Sequence, residues 1–333
     1  MDSLTQIVLG AAVGEAVLGK KVGNRAMLWG AVAGTIPDLD VIANFFVDTV
    51  TAVELHRGFS HSIFFSLLFA PIFGWLVWIL YKKKQASWRG WSLLFFWGLF
   101  THPILDAFTT WGTQLFWPLK TRLAFQNIFV IDPLYTLPFL MFLILAITQK
   151  RGTYRRIKYN RLGLSISSLY LIITLVFKGL AYQSFVTSLK EQNIDYTQID
   201  IRPSPFNTIL WMANIDTKDA YLIGEYSFFD SKPISFRSIP KNHELLNDLR
   251  QEDKVQRLIT ITEGWYAIDK KESRLFFNDL RFGLLSLATD EKQYAFSYEL
   301  KSTIQGLEVI EVPKNRGDAQ KLVSALWQRV LGN

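Results

Sequence analysis

The 333-residue chain has no cysteine. Disulfides and thiolate ligands are therefore excluded, and any metal has to be held by nitrogen and oxygen. The absence does not by itself fix a redox compartment. Histidine is scarce too, with four copies. Acids are few in the first half: residues 1–180 carry 8 Asp+Glu against 17 Lys+Arg, a balance of +9, and residues 181–333 carry 21 against 19. No basic residue precedes the first apolar run, Leu4 to Leu18, while Lys20 and Lys21 follow it. A cleavable signal has the opposite arrangement, so the run reads as a retained, short or partly inserted helix. Neither an internal repeat nor a low-complexity tract is visible. A net charge of +7 would suit a nucleic-acid partner. The excess lies in short loops between apolar runs, however, and that pattern belongs to membrane topology, with no nucleic acid involved.

What the chain does have is apolar surface: half of its residues are hydrophobic and 15% are aromatic. Apolar segments fall at 4–18, 26–47, 62–80, 91–117, 128–148 and 162–180, and a spanning helix needs ~20 such residues. The segments at 62–80, 91–117 and 128–148 fit well, and that at 162–180 is diluted by serines. The first is short and the second carries Pro37, Asp38 and Asp40, so these two suit tilted, re-entrant or internally packed helices. Residues 1–182 are thus predicted to form an α-helical membrane bundle of about six hydrophobic helices. Lys20, Lys21 and Arg25, then Lys82, Lys83, Lys84 and Arg89, then Lys150, Arg151, Arg155, Arg156, Lys158 and Arg161 lie in alternate loops. The intervening loops hold only Arg57, Lys120 and Arg122. That asymmetry orients a multi-pass protein of the cell membrane with the basic loops in the cytoplasm.

Residues 183–333 read as a soluble α+β domain, extracytoplasmic if six segments cross. Short runs rich in aromatic and β-branched residues, at 199–201, 208–213, 220–223, 265–268, 294–298 and 307–310, are predicted strands. Helices are predicted at 243–250 and 319–330, the latter with Leu322, Val323, Leu326, Trp327 and Val330 at helical spacing.

Three clusters could carry chemistry. Pro37-Asp38-Leu39-Asp40 ends an apolar stretch, and two carboxylates so close repel unless a cation or proton intervenes. In His56-Arg57-Gly58-Phe59-Ser60-His61 the histidines, five apart, could converge across a turn that Gly58 permits, with Arg57 as a clamp for phosphate or carboxylate. In Thr101-His102-Pro103-Ile104-Leu105-Asp106 the His and Asp share one helix face, and Pro103 breaks the backbone ladder there. Each has a plainer reading: interfacial histidines in a wet loop, a proline kink with a satisfied His–Asp pair, a solvated helix end. Together they put three His and three Asp within 69 residues. Ionisable groups at membrane depth are seldom kept without partners, and a divalent metal satisfies imidazoles and carboxylates together. Glu15 reads as a helix pairing residue, and His243 is given no role.

These stretches, with Met1-Asp2-Ser3-Leu4-Thr5-Gln6 leading into Leu9-Gly10-Ala11-Ala12-Val13-Gly14-Glu15, resemble the YdjM family of bacterial inner-membrane proteins, regarded as metal-dependent hydrolases. The resemblance covers roughly residues 1–180. Pro205-Phe206-Asn207, Leu210-Trp211 and Asp279-Leu280-Arg281-Phe282-Gly283 resemble the C-terminal extension of one branch of that family. The resemblance implies an integral membrane protein whose functional residues are Asp38, Asp40, His56, His61, His102 and Asp106. Many relatives have His near the start where this chain has Gln6, a poor zinc ligand.

The resulting expectation is a membrane-bound hydrolase working near the outer leaflet on a lipid or lipid-linked ester or phosphoester. A divalent metal, zinc foremost, would be held by Asp38, Asp40, His56, His61, His102 and Asp106. A remaining aspartate, Asp40 or Asp106, would act as base, and Arg57 would neutralise substrate charge. Two other readings stay open: a transporter or ion-handling protein, since broken helices with buried carboxylates also mark ion pathways, and a non-catalytic anchor presenting the outer domain.

Overall fold

The computed structural model describes residues 1–81, 86–284, 293–304, 306–313 and 319–333. Lys82, Lys83 and Lys84, counted above among the loop charges, lie outside the described residues. The chain divides into two compact units: residues 1–45, 55–176 and 205–207 form the first, and residues 46–54, 177–204 and 208–333 the second.

The first unit is helical. Helix α1 (Ser3–Val22) is N-capped by Asp2, whose carboxylate accepts the Thr5 N–H at 3.1 Å. It turns at Gly23, which takes φ 63°, into α2 (Asn24–Thr35), and a 3-10 helix, Ile36–Phe45, continues α2. After α3 (Thr49–Leu55) and a single 3-10 turn, Phe59–His61, come α4 (Ile63–Leu80), α5 (Trp88–Asp106), α6 (Pro133–Ile147) and the long α7 (Tyr154–Glu191). Ser62, Ser87 and Asp132 cap α4, α5 and α6, and Pro133 opens α6 where its missing N–H costs nothing.

Glycine decides how α1 meets α2. A Cβ at Gly30 would lie 2.2 Å from the Gly10 carbonyl oxygen, and one at Gly34 would lie 2.6 Å from that of Gln6. The two backbones touch along a stripe of small residues, a packing suited to lipid, where close van der Waals contact replaces hydrophobic drive. Around them Trp91, Leu94, Phe95 and Leu99 of α5 are buried against Ala26, Ala33, Ala70 and Val77. Buried Glu15 and Arg156 join α1 to α7 through two hydrogen bonds of 2.6 Å. The outward faces of α4, α6 and α7 expose Leu67, Leu68, Leu137, Met141, Leu169 and Ile172. An apolar exterior of this extent calls for lipid.

Among the described residues, three helical stretches are long and apolar enough to cross a membrane: Asn24–Phe45, Ile63–Leu80 and Tyr154–Glu191. The expectation of about six spans is therefore corrected. Helix α1 mixes Glu15, Lys20 and Lys21 with small residues, and α5 contains Arg89, His102, Pro103 and Asp106. The apolar run 91–117 is not one helix, because α5 stops at Asp106. The run 128–148 yields only the 15 residues of α6, about 22 Å of helix against a core of ~30 Å. Residues beyond α5 fold back on themselves: Gly112, at φ 65°, turns the chain so that Thr113 and Leu123 exchange backbone hydrogen bonds of 3.1 and 2.8 Å.

The second unit holds two four-stranded antiparallel sheets. The first is a meander of β1 (Gln198–Pro203), β2 (Leu210–Asp216), β3 (Ala220–Ser227) and β4 (Phe236–Pro240). Ala181, Phe185 and Leu189 from the end of α7 are buried against its Ile201, Trp211, Ala213 and Ile215. A 3-10 helix, His243–Gln251, and α8 (Asp253–Ile261) precede the second meander of β5 (Tyr266–Lys271), β6 (Arg274–Leu284), β7 (Tyr294–Thr303) and β8 (Gly306–Glu311). Val255 and Leu258 of α8 are buried with Ile268, Phe277 and Tyr298. The order helix, then four-stranded meander, thus occurs twice without a repeat legible in the residues. Met212, Ile223 and Ile239 pack with Trp265, Ala267 and Leu280 to join the sheets, and α9 (Ala319–Val330) follows.

Candidate metal centre

The cluster is assembled from three chain breaks. Helix α2 tightens into 3-10 geometry at Pro37 and carries Asp38 and Asp40. The tight turn before α4 carries His61. Helix α5 keeps His102 and Asp106 one turn apart across Pro103. His61, His102 and Asp106 are fully buried, and the Asp38 side chain is 22% exposed.

Four ligand-type atoms converge. His61 Nε2 and His102 Nε2 are 3.1 Å apart. Asp38 Oδ1 lies 3.4 Å from the first and 3.3 Å from the second. Asp106 Oδ2 lies 3.3 and 3.4 Å from the same two atoms. All four lie within 4.8 Å of one another. Ligands bound to one ion at about 2.0–2.1 Å are separated by about 3.3 Å when their bonds are tetrahedrally disposed, and these spacings fit that arrangement.

The hydrogen bonds behind the rings fix which nitrogens face inward. His102 Nδ1 is 2.6 Å from the Gly34 carbonyl oxygen, an acceptor only, so Nδ1 carries the proton. In the neutral ring the lone pair is then on Nε2. His61 Nδ1 lies 3.0 Å from Ser60 Oγ and 3.4 Å from Asp40 Oδ2, and Ser60 already donates to Asp40 at 3.2 Å. His61 therefore also donates from Nδ1 and presents Nε2 as a lone pair. Outer partners of this kind orient metal-binding histidines. Two imidazoles and two carboxylate oxygens face each other in a buried space; Arg57 offsets part of the negative charge, and a bound cation or a ring proton offsets the rest. Asp106 Oδ2 accepts no well-aligned hydrogen bond and is paired by charge with Arg57 Nε at 3.2 Å. The buried Asp38, His61, His102 and Asp106 group could hold a metal ion.

The profile of the YdjM inner membrane protein family matches residues 1–181, more than half of the 333. The chain belongs to that family. Comparison with curated proteins and with solved structures finds no match. All four converging residues, and the Gly34 carbonyl that orients His102, fall within the YdjM segment.

The other residues singled out in the sequence stand one step away. Asp40 bridges the two histidines of its loop: Oδ1 is 3.1 Å from His56 Nδ1, while Oδ2 accepts the Arg57 backbone N–H at 2.7 Å and lies near His61. His56, its side chain 29% exposed, packs edge-on to Trp111 at 5.4 Å and is not among the four. Arg57 does not face open space. Its side chain is buried, with Nε 3.2 Å from Asp106 Oδ2 and Nη1 donating to Thr109 Oγ1 at 2.9 Å. The Arg57 backbone sits at φ 57°, a strained conformation for a side-chain-bearing residue. It is held there by the Asp40 bond and by Gln114 N–H donating to the Arg57 carbonyl at 3.0 Å.

Gln6, a poor zinc ligand, stands behind the converging atoms. It is fully buried, and its amide donates to Asp106 Oδ1 at 3.1 Å and to the His102 carbonyl at 3.3 Å. The Met1 amino group also donates to Asp106 Oδ1. Ser60, Thr109 and Gly34 were missed by sequence reasoning. Ser60 alone carried a signal, as a hydroxyl inside the His-rich turn.

Proposed function

We propose that the chain is a membrane-embedded, metal-dependent hydrolase whose centre lies near the outer leaflet. The observation that supports this best is the convergence of two imidazole lone pairs and two carboxylates at 3.1–3.4 Å. Asp38, His61, His102 and Asp106 would hold a divalent ion, zinc being the metal that favours four nitrogen and oxygen ligands. When bound, such an ion polarises a carbonyl or phosphoryl oxygen and acidifies water.

The chain's own residues divide the remaining work. His56 donates from Nδ1 to Asp40, which leaves Nε2 as the base that takes a proton from the attacking water, while Asp40 stabilises the charged ring. Asp40 thus serves the base through His56. Arg57 offsets the charge of Asp106 and keeps it turned inward, a different task from neutralising substrate. The partly exposed members, Asp38 and His56, have exposed Leu39 and Leu55 as chain neighbours. An apolar rim around a polar centre favours an amphiphile, a lipid or lipid-linked ester or phosphoester.

The centre sits at the ends of α2 and α5 remote from the turns bearing Lys20, Lys21, Arg25 and Arg89. The positive-inside rule then supports an extracytoplasmic site, with residues 183–333 on the same side.

The test is metal content and lipid-ester hydrolysis of the detergent-purified chain. His61→Ala and Asp106→Asn are expected to lose stoichiometric metal. His56→Gln is expected to keep the metal and lose at least about a hundredfold in turnover. Full metal content in the first two variants overturns the reading.

A further inference from the structure

Between Asp40 and His56 the chain leaves the first unit. Residues 46–54 are part of the second unit, and the chain re-enters the first at Leu55. The excursion is held firmly. Val50 is fully buried in the core formed by Leu246, Val255, Leu258 and Phe277. Asp48 caps the start of α3, its Oδ1 accepting the Val50 and Thr51 N–H groups at 3.1 and 3.3 Å. Arg257 of α8 grips the last turn, with Nε and Nη2 on Glu54 Oε2 at 2.9 and 2.6 Å and Nη2 on Thr51 Oγ1 at 2.9 Å. Forked guanidinium contacts of this kind fix geometry as well as charge. Glu54 is two residues before His56, whose Nδ1 meets Asp40, and Asp40 in turn meets His61.

We infer that Arg257, by holding Thr51 and Glu54 and so keeping the last turn of α3 formed, is a positioning residue for the His56–Asp40–His61 chain that follows it. This rests on the metal reading of the same site. A frayed last turn of α3 would leave the start of the His56 turn anchored only by its own hydrogen bonds. The Arg257 grip removes that freedom before any ligand arrives, which is preorganisation. If Arg257 serves only the fold around α3, loosening its grip leaves the site unchanged.

The experiment uses the full chain in detergent with cobalt(II) as the probe, alongside hydrogen exchange of the backbone amides at 55–61. Arg257→Ala is compared with Ile215→Val, a core change in the first sheet that does not touch 46–54. Arg257→Ala is expected to weaken cobalt binding about three- to tenfold, a modest part of the 10–100-fold typical of losing an outer partner, and to speed exchange at 55–61. Ile215→Val is expected to do neither. Cobalt affinity within twofold of the unaltered chain, with exchange at 55–61 unchanged, overturns the inference, and so does equal weakening by both variants. If the unaltered chain binds no cobalt, the metal reading fails. The positioning role of Arg257 is then judged by exchange alone: faster exchange in Arg257→Ala only sustains it, and unchanged exchange ends it.

Discussion

Gly30→Ala tests how the α1–α2 contact supports the site. The added Cβ would lie 2.2 Å from the Gly10 carbonyl oxygen and 2.9 Å from Gly14 Cα. Both obstacles are backbone, so no side chain can swing aside, and the helices must part by about 1 Å to reach ordinary contact. Overpacking of this kind costs about 1–3 kcal/mol, against about 1 kcal/mol gained from the better helix propensity of alanine. The net expectation is a loss of up to about 2 kcal/mol, read as a lower unfolding midpoint in detergent. Gly179→Ala in α7 supplies the contrast: nothing lies within 4 Å of its Cβ position, so only the propensity gain remains. The larger consequence falls on the metal centre. The Gly34 carbonyl accepts from His102 Nδ1 at 2.6 Å, and a 1 Å shift of α2 breaks that bond. Losing the outer partner of a metal-binding histidine weakens metal binding about 10–100-fold, measurable by zinc competition with a chelator. Native stability together with zinc affinity within twofold of native would refute the reasoning.

Two further outcomes follow from other parts of the molecule. Glu15→Ala leaves Arg156, buried and otherwise charge-paired at 2.6 Å, without its carboxylate; stripping one partner from a buried pair costs about 3–5 kcal/mol, and a loss under 1 kcal/mol by unfolding would contradict the pairing described. In the second unit, His243 stacks on Tyr266 at 4.0 Å and donates from Nε2 to the Tyr266 carbonyl at 2.9 Å. Burial foremost, with Lys241 and Arg250 nearby, holds its pKa below the ordinary 6.5. A histidine with a depressed folded pKa contributes stability above about pH 6.5 that fades as the pH falls through the folded value. The unfolding midpoint should therefore drop between pH 7 and pH 5, and the drop should shrink in His243→Gln; an identical pH profile for the two proteins would count against it.

The candidate site was legible because its residues sit where they are costly. Asp38, His61, His102 and Asp106 interrupt apolar sequence beside Pro37, Gly58 and Pro103, and such groups need partners. What the spacing left open was their rank: nothing in the hexad His56 to His61 says that the second histidine faces His102 while the first turns to Asp40 and Trp111. Arg57 misled because an arginine between histidines suits an anionic ligand as well as a buried aspartate. The helices were readable as apolar stretches but not as spans, since hydrophobic content does not show that α5 ends at Asp106 or that α6 is only 15 residues long. In the second unit β6 was missed because Asn278, Asp279 and Arg281 are polar yet buried, paired with one another and with Asp269. The short β4 and the β-branched end of α8 gave weak signals for the same reason: tertiary contacts outweigh propensity there. No residue pattern announced that 46–54 joins the second unit, because that membership depends on the pocket Val50 fills.

The borders of the two sheets carry their own message. Strand β1 ends on Pro203, β4 is five residues closing on Pro240, β5 finishes with Lys270 and Lys271, and β8 turns Glu308 and Glu311 outward. Proline, brevity and charge are the devices that stop a strand from recruiting a foreign one. Borders so protected disfavour edge-to-edge zipping between crowded copies of this unit.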